Sequence, residues 1–314
     1  MTKTAFMFPG ESSHSVGMMS SMADDFSIVR STFDEASEVL DYDLWSVTAN
    51  GPETELNKAQ TKKPAMLVSG IAAWRVWQNL GGARPDFFAG HGLGEYTALV
   101  ATGVMEFTDA VSIVAKRGHF MQEATPVGGG AMASVQGLED KVMRDICSKV
   151  ENSEVVSCAN YNAPGLVVIS GNKAAVEEAC QLAGKAGARD ITLLPIDIPS
   201  HCRLMQPAAV KLQEALLGVH FSDSSIPVIQ NADVRAYHDA EQIREALARQ
   251  LWQPVRWTES ILSLVDAGVN RFIECGPGGV LADFNRRIAP RTSVYELTGQ
   301  VSLNEALQLE NRDE

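Results

Sequence analysis

The sequence lacks the usual marks of several protein classes. It has no apolar run of about 18 residues, the length a membrane-crossing helix needs, so no membrane role is expected. Its opening stretch, Met1 to Pro9, is only briefly apolar and stops at Pro9-Gly10, unlike a secretory signal. Cysteine is sparse. The five residues (Cys147, Cys158, Cys180, Cys202, Cys275) are scattered, odd in number and without Cys-x-x-Cys spacing. That pattern argues against a disulfide scaffold or a zinc site, and the expectation is reduced thiols, a cytoplasmic location and no metal. Positive charge is also short, with 26 Lys and Arg against 39 Asp and Glu and a net charge of −13, which sets a nucleic-acid partner aside. There is no internal repeat and no low-complexity tract. The Gly276-Pro277-Gly278-Gly279 loop does not fit Gly-x-Gly-x-x-Gly, so it reads as a turn before a helix and not as a dinucleotide site.

One further absence is local. The apolar run Pro85 to Ala89 feeds into Gly90-His91-Gly92-Leu93-Gly94, and Tyr96, Leu99, Val100 and Val104 follow at helical spacing. Strand, sharp turn and helix form the setting of a nucleophile elbow, where glycines permit a strained backbone and close helix approach. The centre of an elbow should be Ser or Cys. Here it is Gly92, which has nothing to attack with.

What is present reads as a globular α/β chain. At 314 residues, 45% hydrophobic and 21% charged, it has enough length for a large and a small domain. Thr4–Phe8 predicts a strand, Ser20–Leu40 and Pro64–Leu80 predict helices, and Phe107–Gln122 predicts a helix capped by Thr108 or Asp109. After Val127-Gly128-Gly129-Gly130, a candidate hinge, the order is strand, helix, two strands, helix, strand. That βαββαβ order is the ferredoxin-like pattern. Beyond Pro199 come helices at Leu204–Leu217, Asp239–Gln250 and Trp257–Ala267, with strands at Pro227–Gln230 and Arg271–Glu274. The expected fold class is therefore α/β: a large α/β-hydrolase-like domain with a parallel sheet (residues 1–127 and 198–314) and an inserted small ferredoxin-like α+β domain (128–197). The Met18-Met19 and Met22 cluster reads as core or loop packing.

Seven motifs in order then resemble the malonyl-CoA:acyl-carrier-protein transacylases. They are Phe8-Pro9-Gly10, Gly90-His91-x-Leu93-Gly94-Glu95-Tyr96, Lys116-Arg117-Gly118-x-Phe120-Met121-Gln122 and Asn160-x-Asn162-x-Pro164-Gly165. Pro199-Ser200-His201-Cys202, Arg249-Gln250-Leu251-x-x-Pro254-Val255-x-Trp257 and Glu274-x-Gly276-Pro277-Gly278 complete the set. The resemblance implies an acyltransferase of fatty-acid or polyketide synthesis, with malonyl-CoA and an acyl carrier protein as partners and a fatty-acid or polyketide synthase as the wider setting. No bound cofactor is implied, since CoA thioester and carrier phosphopantetheine are substrates. It makes His201 the general base, oriented by a backbone carbonyl near Gln250, and Arg117 the guanidinium that grips the malonyl carboxylate. The N–H groups of Leu93 and Glu11 would form the oxyanion hole. His91 stands open between a substrate neighbour and a structural packer of the elbow. Cys202 is not expected to react, because adjacent side chains on an extended strand face opposite ways. Arg286, Arg287 and Arg291 are candidates for a basic patch facing an acidic carrier.

This chain departs from the family at the points that matter. The family has Ser at position 92, and its opening motif reads Pro-Gly-Gln-Gly-Ser-Gln where this chain has Pro9-Gly10-Glu11-Ser12-Ser13-His14. A Glu11 carboxylate aimed into the site would oppose both the malonyl carboxylate and the oxyanion. Three functions stay open. One is a malonyl transacylase impaired in covalent transfer. A second is an acyl-thioester hydrolase or decarboxylase with a water activated by His201 or Glu11. The third is a non-catalytic protein that binds acyl-CoA or carrier protein.

Overall fold

A computed structural model describes residues 2–126, 128–151, 154–223 and 226–310; Val127, part of the candidate hinge, lies outside the described residues. The strands are β1 (Lys3–Phe8), β2 (Phe87–Gly90), β3 (Gly130–Gln136), β4 (Val156–Ala163), β5 (Leu166–Asn172), β6 (Asp190–Leu193), β7 (Val228–Ile229), β8 (Val269–Cys275) and β9 (Ser293–Leu297). They form two sheets, a parallel one in the order β7-β2-β1-β8-β9 and an antiparallel one in the order β4-β5-β3-β6.

β1 is central in the parallel sheet and apolar from Ala5 to Phe8, as a strand covered on both faces must be. Phe6 and Phe8 point into one cluster, where the Phe6 ring lies 5.3 Å from both Trp74 and Trp77 of the long helix Ala59–Asn79. Ala5 and Met7 point the other way, into a cluster that holds Trp257 and Phe272. The period of two thus splits one strand between two cores.

The antiparallel sheet has the ferredoxin-like strand order, and its two helices, Asp140–Val150 and Lys173–Lys185, share one apolar cluster with Ala131, Ala133 and Val135 of β3. The alternate β3 residues, Met132 and Ser134, face the opposite side, where a cavity lies. The inserted sheet therefore shields its own core with helices and presents its bare face to the site.

Local differences from the sequence reading have physical causes. The expected helix Ser20–Leu40 is two helices, Ser20–Asp25 and Ser27–Leu40, separated by an extended Phe26. Asp24 and Asp25 put negative charge at the first helix's carboxyl end, where the helix dipole resists continuation. The long helix begins at Ala59 rather than at Pro64 and carries the proline inside. The Arg117 helix, Phe107–Glu123, starts one residue before the expected caps; Glu106 flanks it without a side-chain cap, and Asp109 lies in the first turn. No described helix is long and apolar enough to cross a membrane.

Candidate active site

β1 and β2 run in register with Phe8 beside Gly90, so the loop after β1 and the turn after β2 leave the sheet side by side. The crevice beyond the carboxyl ends of parallel strands is where such sheets bind ligands. A Cβ on Gly94 would sit 2.1 Å from the Phe8 carbonyl oxygen, so glycine is required for the elbow helix Gly94–Ala101 to approach. Gly92 has φ +55°, in the left-handed region. Its N–H donates to Asn231 Oδ1 at 2.6 Å, and its carbonyl accepts from Gln250 Nε2 at 2.8 Å. Asn231 Nδ2 donates to the Gly90 carbonyl at 2.6 Å, and the Asn231 N–H to Glu95 Oε2 at 2.7 Å. Burial pushes the Glu95 carboxyl up to about 8, so it holds its proton at neutral pH. A Cβ on Gly92 would meet only His201, with Nε2 at 3.5 Å and Cε1 at 3.9 Å. Position 92 has room for a side chain, and that side chain would face the imidazole.

His201 is itself left-handed, with φ +61°, a conformation uncommon for a residue with a Cβ and found where function holds it. Its N–H donates to the Leu251 carbonyl at 2.9 Å, and Nδ1 lies 2.7 Å from the Gln250 carbonyl oxygen. A carbonyl only accepts, so Nδ1 carries the proton and Nε2 offers its lone pair toward Gly92. Burial, reinforced by the Arg117 charge, pushes the imidazolium down to about 3, which leaves a neutral base at neutral pH.

At the other end of the site is a buried charge cluster. Glu11 Oε1 lies 2.7 Å from Lys63 Nζ and 3.6 Å from Arg117 Nη1, and Glu11 Oε2 lies 3.8 Å from Lys62 Nζ. Burial alone would raise the Glu11 carboxyl; Lys63, then Lys62 and Arg117, outweigh it and hold the group well below the usual carboxylate range. Burial also pushes the Lys63 ammonium down to about 8. Arg117 is 1% exposed, reaches Gln250 Oε1 only at 3.5 Å, and keeps Nε and Nη1 without a hydrogen-bond partner among the described residues. Three cations face one carboxylate, so the cluster is positive, and buried cations in that state favour an anionic ligand.

A cavity of about 260 Å³ spans the reacting end, lined by Glu11, Gly92, Leu93 and His201 and, from the small sheet, by Met132 and Val168. The backbone N–H groups of Glu11 and Leu93 find no acceptor among the described residues. His91 also lines the cavity; its Nε2 pairs with Asn162 Oδ1 at 2.8 Å and its ring meets Trp257 edge-on at 5.4 Å. The expected residues Gly92, His201, Arg117, Glu11, Leu93, His91 and Gln250 are therefore brought together. The site contains a neutral imidazole base, free N–H donors and a buried guanidinium with hydrogen-bonding capacity to spare, which is equipment for acyl chemistry on a thioester that bears a carboxylate.

The chain matches the acyl transferase domain family over residues 5–308. It is 47% identical over 307 residues to a malonyl CoA-acyl carrier protein transacylase of Salmonella typhimurium, which covers 98% of this chain and 99% of the relative. A protein of the same name from Bacillus subtilis is 40% identical over 98% of this chain and 97% of its own length. The chain belongs to the malonyl-CoA:acyl-carrier-protein transacylase family. Among solved structures, a malonyl-transacylase in complex with a type II PKS acyl-carrier protein superposes with a TM-score of 0.97 at 45% identity, covering 98% of this chain and 100% of that one. The family member from Coxiella burnetii superposes at 0.96 with 40% identity, covering 98% and 97%.

Within this transacylase fold, some site residues escaped the sequence reading. Asn231 sits in a loop 139 residues from Gly92, after a strand of two residues, and nothing local marks it. Lys62 and Lys63 lie outside the expected helix Pro64–Leu80 and are buried. His14 bonds through Nδ1 to the Glu11 carbonyl at 2.7 Å and through Nε2 to Asn57 Oδ1 at 2.6 Å, tying down the loop that carries Glu11. Cys202 is buried, donates to the Pro199 carbonyl at 3.2 Å and has a thiol pushed up by burial, so it is no nucleophile. Of the candidate patch, Arg286 is taken by Asp283 and Glu296, and Arg287 donates to the Pro164 carbonyl.

Proposed function

We propose that this chain binds malonyl-CoA and the phosphopantetheine arm of an acyl carrier protein in fatty-acid or polyketide synthesis, and that it forms no acyl-enzyme at position 92. The observation that carries this reading is the open line between the Gly92 Cβ position and His201 Nε2, 3.5 Å long, inside a frame otherwise ready for the reaction. In this reading Arg117, whose Nε and Nη1 have no hydrogen-bond partner among the described residues, grips the malonyl carboxylate with its planar guanidinium, a geometry lysine lacks. The N–H groups of Leu93 and Glu11 receive the oxyanion. Lys63 engages the Glu11 carboxylate, which weakens its opposition to both charges. Residues 128–197 act as an inserted unit whose bare sheet face forms one wall of the cavity. Partners of this kind are supported by the relatives' names and by the carrier-protein complex.

The test supplies malonyl-CoA and phosphopantetheinylated carrier protein to the native chain and to Gly92→Ser, and follows carrier mass. Only the serine variant is expected to load the carrier. Loading by the native chain at a comparable rate would refute the reading.

A further inference from the structure

A glycine in the elbow removes the nucleophile and leaves the base with a free line of approach to the substrate. We infer that the Gly92–His201 pair makes this chain a hydrolase of α-carboxylated acyl thioesters, in which a water lies between the Gly92 backbone and His201 Nε2 and attacks directly. The inference rests on the thioester-binding reading above, because the same cavity must hold the substrate.

The geometry supplies each requirement. Nδ1 of His201 is committed to the Gln250 carbonyl at 2.7 Å, so Nε2 is the acceptor and faces position 92. With no side chain there, a water takes the place of the family's hydroxyl; it needs roughly 30 Å³, and the cavity holds about 260 Å³. Glu11, the other candidate base, is excluded by position: it is paired with Lys63 at 2.7 Å, and only His201 lies within 4 Å of the Gly92 Cβ position. Two groups that face the base, His91 and Arg117, disfavour its protonation after burial itself, while Glu11 favours it. A substrate carboxylate bound at Arg117 cancels that cation's opposition. The α-carboxylate therefore strengthens the base as it binds, which favours malonyl over acetyl thioesters in turnover as well as in affinity.

The step balances without a cofactor. The water oxygen bonds to the thioester carbonyl carbon as His201 Nε2 takes one proton, and the carbonyl electron pair moves to oxygen beside the Leu93 and Glu11 N–H groups. Collapse breaks the carbon–sulfur bond, and the proton on Nε2 passes to the leaving sulfur. The products are the hydrogen malonate ion, whose new carboxyl then ionises to solvent, and the free thiol of CoA or phosphopantetheine.

The experiment measures free thiol by colour reaction and malonate by mass, with malonyl-CoA and malonylated carrier protein in separate tubes, while calorimetry reports binding of malonyl-CoA. The native chain is expected to release malonate on the order of a hundredfold faster than His201→Ala, the usual weight of a general base. Gly92→Ala, whose methyl occupies the water's place, is expected to fall by a similar factor. Gly92→Ser bears the same backbone strain, so its loading of the carrier shows that a Cβ at this position is tolerated. Malonate from both thioesters or from one supports the inference and names the source. Heat of binding with no malonate above the His201→Ala level overturns the hydrolase alone. Acetyl-CoA as product overturns it in favour of decarboxylation. Absence of binding overturns both this inference and the thioester-site reading.

Discussion

The two ends of the site are built in opposite ways. At the reacting end position 92 carries no side chain, Asn231 and Gln250 hold the turn, and His201 points at that position. At the charged end a carboxylate is present, and a buried lysine meets it at 2.7 Å. The contrast follows from energetics. A glycine beside an open cavity brings no polar side-chain group that needs a partner, so the turn requires nothing further there. A buried charge without a partner costs several kcal/mol, so Glu11 and Lys63 are stable only as a unit.

The largest test of this contrast is restoration at the reacting end. Gly92→Ser should raise carrier loading by on the order of a thousandfold or more, because removing such a nucleophile costs at least that much where it has been measured. A gain under tenfold in the mass assay would mean that the frame has also decayed. At the charged end, single changes should hurt and paired changes should not. Lys63→Met leaves Glu11 beside Arg117 and Lys62 but strips its closest partner, and should cost about 3 kcal/mol in denaturant unfolding. Glu11→Gln combined with Lys63→Met should recover much of that loss. Additive losses in the double variant would show that the two residues act independently.

Much of this contrast was legible in the sequence, and the rest was hidden by distance. The apolar run Thr4–Phe8 and the glycine-framed turn at 90–94 identify a parallel sheet and an elbow because their signals are local, with a period of two and close backbone approach. The βαββαβ alternation of residues 130–193 likewise appears in the strand order of the small sheet. β9 escaped because Ser293–Leu297 is only partly buried and alternates weakly, and the break at Phe26 escaped because the apolar period runs through it. The charged end was hidden for a stronger reason. Charge on a helix ordinarily means solvent, and only the fold brings the partly exposed Glu11 to the buried Lys63. The sequence set Glu11 against the substrate carboxylate, and the fold adds that three cations share its charge.

A smaller effect sharpens the charged end. In a His201→Ala background, where turnover is suppressed, Glu11→Gln removes a negative charge 3.6 Å from the Arg117 guanidinium and frees Lys63. Malonyl-CoA should bind about tenfold more tightly by calorimetry, equivalent to about 1.4 kcal/mol, while acetyl-CoA binding should not change. Equal gains for both ligands would trace the effect to packing and not to charge.

A further expected effect is a slope in the pH dependence of stability, and it belongs to the reacting end. Glu95 is fully buried behind the elbow, and burial pushes its carboxyl up to about 8, from a reference value of 4.5. Its folded pKa lies above its unfolded one, so the unfolded chain loses that proton first as pH rises. The stabilisation is full below about 4.5 and fades as pH climbs toward 8. Glu274, pushed up to about 7 by burial, adds to the same slope at the end of β8. Denaturant midpoints should therefore fall between pH 5 and pH 8, and Glu95→Gln should flatten the fall while leaving the part due to Glu274. The glutamine keeps an acceptor for the Asn231 N–H, so the elbow should hold at all pH values. A midpoint that rises over this interval, or an unaltered slope in Glu95→Gln, would mean that Glu95 is ionised in the fold, and the polar brace behind Gly92 would then have to carry a buried charge.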